Sequence, residues 1–141
     1  MKRWLIPAAV AATTLVLGGA AVAQLRTDLG RFEFENNCVA CHGANGRGDG
    51  YFGQYLKLPM PDLTTVTQRN NGVFPADRMQ RIIDGREEVK GHGPRQMPVW
   101  GAHYNERARE YFKGTAYDPE VYIRVRVLSL VDYLYSIQTQ R

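Results

Sequence analysis

Cys38-Val39-Ala40-Cys41-His42 contains the only two cysteines of the 141-residue chain. Two thiols three positions apart, followed at once by an imidazole, admit four readings. A structural disulfide here would close so short a loop that it would remove little chain entropy. A thioredoxin-like redox pair needs a βαβ setting, and the flanking sequence supplies none. A zinc site would have to recruit His92 and His103, whose ten intervening residues exceed the usual ligand spacing. The fourth reading is c-type haem attachment, for which C-x-x-C-H is the signature. On one helical turn each thiol can form a thioether to a haem vinyl group, and His42 can offer a neutral imidazole to iron. Haem attachment is the reading that the spacing favours.

The residues upstream agree with an oxidising destination. Met1-Lys2-Arg3 is a positive n-region, Trp4 to Gly19 an apolar run, and Ala21-Val22-Ala23 a small-x-small cleavage signature. Residues 1–23 therefore read as a secretory signal peptide. The rival is an uncleaved anchor, since Trp4 to Ala23 matches the ~20 residues of a spanning helix. Pro7, Thr13-Thr14 and Gly18-Gly19 make that run a poor helix core, and the cleavage signature favours removal. Either way residues 24–141 are expected outside the cytoplasm, with the basic residues retained inside. Any membrane contact is through the N-terminal tether alone.

The chain has 18 Lys+Arg against 14 Asp+Glu, a net charge of +4. Losing Lys2 and Arg3 with the leader halves that to +2 over 118 residues. Such a domain lacks the charge density of a nucleic-acid binder, which must neutralise several phosphates. Gly and Pro concentrate between Gly43 and Gly101. That distribution predicts one domain with helices at both ends and a loop-rich middle.

Several motifs together resemble the class I monohaem c-type cytochromes of bacteria. Gly30-x-x-x-Phe34-x-x-x-Cys38 is similar to the family's first helix running into the haem site. The glycine-rich Gly43-Ala44-Asn45-Gly46-Arg47-Gly48-Asp49-Gly50 resembles the loop after the haem histidine, and Pro61-Asp62-Leu63-Thr64 follows as in many members. Gln96-Met97-Pro98-Val99-Trp100-Gly101 resembles the segment bearing the second axial ligand, and Val131-Asp132-Tyr133-Leu134 the terminal helix that crosses the first. The resemblance implies an all-α class I cytochrome c fold in residues 24–141, packed around one covalent haem c. It also implies a periplasmic carrier of single electrons between redox protein partners, and no enzyme. Cys38 and Cys41 would be the anchors, His42 and Met97 the axial ligands.

The second ligand decides what the iron does. A His/Met pair raises the potential and blocks exogenous ligands, whereas an open site permits gas binding or peroxide chemistry. Met79 lies with Ile82 and Ile83 on an i, i+3, i+4 stripe and reads as core packing. Met60 lies between Pro59 and Pro61, in a stretch that the resemblance implies packs beside the haem. Met97 sits in a proline-stiffened loop that can present a thioether inward, and the resemblance favours it. His92 and His103 leave bis-His ligation as the alternative. Tyr55 and Trp100 are candidates to line the haem pocket. Arg47, Lys57, Lys90 and Arg95 are candidates for a basic ring that steers an acidic partner.

Four helices are expected in the mature chain. Leu25, Leu29 and Phe32 recur at helical spacing, with Phe34 on an adjoining face, and Gly30 suggests close approach of another helix. Pro75 to Asp84 reads as a short helix stopped by Gly85, and Asn105 to Lys113 as another stopped by Gly114. The latter lengthens the chain relative to the smallest family members and reads as a surface helix. Asp118-Pro119-Glu120 is a helix start. The Val121 to Val127 alternation suits a strand by period. The resemblance makes the whole segment helix, with Ser129, Asp132 and Ser136 on a polar face.

Overall fold

The computed structural model describes residues 9–56, 59–87, 89, 106, 109–115 and 118–139, with side chains described from Gly19 onward. All regular elements among them are helical: α1 (Ala9–Asn37), α2 (Val39–His42), α3 (Val66–Arg69), α4 (Ala76–Ile83) and α5 (Pro119–Ser136), with 3-10 turns at Tyr51–Tyr55 and Leu63–Thr65. No described helix is long and apolar enough to cross a membrane.

The frame is the crossing of α1 and α5. α5 starts where the sequence predicts: Pro119 opens the helix, and the Asp118 carboxylate accepts the Glu120 N–H at 2.9 Å. The strand-like alternation of Val121 to Val127 does not prevail. Val127, Leu130, Val131 and Leu134, spaced i, i+3, i+4 and i+7, all face the core. Tyr133 joins them, its ring 5.3 Å from that of Phe34, which is fully buried.

Gly30 sets how close the two helices come. A Cβ at that position would lie 1.9 Å from the Ser129 carbonyl oxygen, so only glycine permits this approach. The approach corrects two expectations. Leu25 and Phe32 do not form the buried stripe of α1; they are 70% and 56% exposed. The face turned to α5 carries Gly30, Glu33 and Phe34, because the helix presents its smallest residue where the backbones touch. Ser129, expected on a polar outer face, is buried for the same reason.

Glu33, only 1% exposed, is ion-paired with Arg126 of α5 and also accepts from Asn37 Nδ2 at 3.1 Å. Arg126 stacks over Tyr122, 4.4 Å from the ring centroid, and burial pulls its guanidinium below the usual arginine range. A charge buried at a helix crossing survives only when paired.

α4 packs against α5 and follows the expected stripe: Ile83 is buried, Met79 and Ile82 half-buried, and Gly85 (φ 82°) ends the helix. Residues 109–111 are helical and Gly114 (φ 85°) follows them, in line with the expected surface helix; Asn105 lies outside the described residues.

Candidate haem site

α1 runs almost without interruption into the cysteine motif. The Cys38 N–H donates to the Phe34 carbonyl at 2.9 Å, and the His42 N–H donates to the Cys38 carbonyl at 2.9 Å. Cys38, Cys41 and His42 therefore share one helical turn, as the spacing predicts. Gly43 (φ 77°) breaks the turn, and the loop folds back so that the Gly48 N–H donates to the His42 carbonyl at 2.8 Å. His42 is thus gripped through its backbone from both sides, and only 7% of it is exposed.

A cavity of about 330 Å³ opens beneath this turn, inside the ~300–1,000 Å³ range of cofactor sites. Cys38 and His42 form part of its wall, with Phe34 behind them. Leu63 and Val66 line another side, Met79, Ile82 and Ile83 of α4 a third, and Leu130 and Leu134 of α5 close it. Cys41 is half-buried on the same turn and is not part of the wall. Both thiols are free. Burial, and then the neighbouring Cys41, push the Cys38 thiol up to about 12, so it is a protonated S–H at neutral pH.

Arg69, Asn70 and Arg78 supply the polar part of the lining. Sequence reading missed them, because nothing in Gln68-Arg69-Asn70 distinguishes a cavity arginine from a surface one. Arg69 donates to the Asp62 carbonyl at 2.7 Å, and Arg78 pairs with Glu87 at 2.7 Å.

Other expectations separate here. Met79 is both core and cavity wall. Met60 packs under the Gly48–Gly53 backbone instead of lining the cavity. Tyr55 is 66% exposed and bonds the Tyr51 hydroxyl at 3.1 Å, so it does not line the cavity; its short 3-10 turn points it outward. Arg47 is exposed. Met97, His92, His103, Trp100, Lys57, Lys90 and Arg95 lie outside the described residues. No cluster of three or more His, Cys, Asp or Glu capable of holding a metal ion occurs among the described residues.

The sequence model of the family described as Cytochrome c matches residues 28–110. The chain belongs to the cytochrome c family. No curated protein and no solved structure gives a significant match to it. Membership implies a covalently bound haem c and electron transfer, and the all-α fold accords with it. The residues present in the cytochrome fit that group. The chamber is walled mainly by apolar side chains, a buried imidazole faces it, a thiol lies on the same turn, and the two guanidinium groups that border it could pair with the carboxylates of a bound haem. The family match stops before α5, yet α5 supplies Leu130 and Leu134 to the wall.

Proposed function

We propose that this chain is an exported class I cytochrome with one haem, joined through Cys38 and Cys41 and ligated by His42 and Met97. It passes single electrons between protein partners in the periplasm, and residues 1–23 direct it there. The observation that carries this reading is the apolar cavity walled by Cys38 and His42 together.

Bound there, the haem supplies a one-electron iron couple. The chain does the rest. The two backbone hydrogen bonds on His42 fix the backbone from which its ring projects into the cavity wall. The aliphatic side chains from α4 and α5 exclude water, which disfavours the more highly charged oxidised state and raises the potential. Arg69 and Arg78 act in the same direction and would take the haem carboxylates. Met97 would hold the iron through its thioether and keep exogenous ligands from it.

Optical spectra of the purified protein, oxidised and reduced, with and without carbon monoxide, test the reading. A far-red sulfur-to-iron band that vanishes in Met97→Ala, with no response to carbon monoxide, is expected. Ready carbon monoxide binding without that band would instead favour an open-site enzyme or sensor. A second reading, an electron-transfer subunit of a larger dehydrogenase or oxidase complex, is favoured by the exposed Leu25 and Phe32 on α1. Fractionation of the native protein with membranes, in an assembly larger than the 16.0 kDa chain, would support it.

A further inference from the structure

The chain does not stop at the end of α5. Residues 137–139 turn back across the Leu63–Gln68 segment, more than 70 positions away in sequence. The Gln138 carboxamide lies at the centre of this contact. Its Oε1 accepts the Thr67 N–H at 2.9 Å, and its Nε2 donates to the Leu63 carbonyl at 2.8 Å and the Leu134 carbonyl at 2.6 Å. Thr139 adds an N–H bond to the Thr64 carbonyl at 2.9 Å, and Gln68 Nε2 donates to the Thr139 hydroxyl at 2.9 Å. From Leu63 the connection continues to the loop after the haem motif, because its N–H donates to the Gly46 carbonyl at 2.7 Å.

The groups joined in this way are the backbones of the cavity wall. Leu63, Val66 and Leu134 all line the cavity, and Thr67 follows directly on Val66. The first N–H groups of a helix have no partner within it, so α3 takes its acceptor from Gln138. A carboxamide of this length satisfies the site uniquely among close substitutes. Glutamate keeps the acceptor but loses both donors, leucine loses everything, and asparagine is a methylene too short. The tail also lies beyond the residues matched by the family.

We propose that Gln138 is a positioning residue of the haem cavity, strapping the α5 wall to the Leu63–Thr67 wall and so controlling how much water reaches the iron. The inference rests on the haem reading of the cavity. If the strap loosens, the two walls part, water enters, and the oxidised state gains solvation.

The test uses the full chain, loaded with haem, as wild type, Gln138→Leu and Gln138→Asn. Intact mass comes first. A wild type without covalent haem would refute the haem reading itself and take this inference with it. With haem present in all three, both variants are expected to show a lower reduction potential than wild type. In Gln138→Leu, the Thr67 amide is also expected to exchange its hydrogen faster. A variant with a reduced melting temperature and an unchanged potential would give Gln138 a purely structural role and overturn the proposal. If the leucine variant fails to fold, the asparagine variant decides, since it stays neutral and keeps the carboxamide one methylene too short to span the walls. The wild type offers an independent arm. Its Thr67 amide is expected to exchange as slowly as those of Leu130 and Val131, and fast exchange there would also overturn the strap.

Discussion

Replacing Gly30 with alanine tests the fold at its tightest point. In an ordinary exposed helix this change stabilises, because alanine is favoured over glycine by ~1 kcal/mol. Here the new Cβ would fall 1.9 Å from the Ser129 carbonyl oxygen, 2.5 Å from its carbon and 2.8 Å from the Tyr133 Cβ. Two of those atoms are backbone and cannot rotate away, so α5 must retreat by more than about 1 Å. A gap of ~0.5–1 Å already forfeits a quarter to a half of each dispersion interaction, and the side chains pulled apart are Phe34, Val127, Leu130 and Tyr133. Overpacking costs about 1–3 kcal/mol, and an overlap this deep with backbone atoms belongs at the upper end, about 2–3 kcal/mol. Set against the propensity gain, the net expectation is a loss of about 1–2 kcal/mol. For a domain of this size that is a drop of roughly 3–10 °C in melting temperature. Circular dichroism melts of wild type and Gly30→Ala, matched for haem content, measure it. A variant that melts at or above the wild-type temperature would refute the close-crossing argument.

Other expectations follow from the same structure. Arg126→Met leaves Glu33 charged and buried without its cation, at a cost of about 3–5 kcal/mol in chemical denaturation; the double variant with Glu33→Gln should recover much of that loss. Cys41→Ala should retain haem through Cys38 alone, and its reduced absorption band should move to longer wavelength because one vinyl group stays unsaturated. An unshifted band in that variant would show that Cys41 forms no thioether. The Asp62 carboxyl is held below the usual carboxylate range, first by the Thr64 hydroxyl at 2.6 Å, then by the Thr64 N–H and by Arg47 and Arg69. Its ionised form therefore contributes stability above the ordinary carboxylate pKa, and that contribution fades as pH falls through the depressed value. Urea midpoints measured between about pH 5 and pH 3 should fall more steeply in wild type than in Asp62→Asn, which keeps the turn cap but removes the charge.

The sequence signals that held are those written in local chemistry. Asp118-Pro119 starts a helix because both residues act on its first turn. Gly85 and Gly114 follow helical stretches because they alone tolerate positive φ there. Cys38, Cys41 and His42 share a turn because their spacing is the turn. Where two local signals competed, tertiary context decided. The alternation of Val121 to Val127 favours a strand, but α5 buries Val127, Leu130, Val131 and Leu134 against α1 and α4, and that stripe exists only as a helix.

The apolar pattern of α1 misled for a related reason. Leu25, Leu29 and Phe32 form a stripe, and hydrophobicity alone would bury it. The buried face is set instead by Gly30, whose missing side chain lets α5 approach. No periodicity in α1 reveals which neighbour will exploit that gap. The same holds for Arg69 and Arg78, which border the cavity only because α3 and α4 are brought around it.

Sequence by itself determined the shared turn of Cys38, Cys41 and His42, the start of α5 and the glycine stops at Gly85 and Gly114, since each depends on residues a few positions apart. Tertiary structure alone decided which face of α1 is core, where the cavity lies, and that residues 137–139 reach back to hold its wall. Those features join groups separated by dozens of residues, and their partners are defined only once the backbones have met.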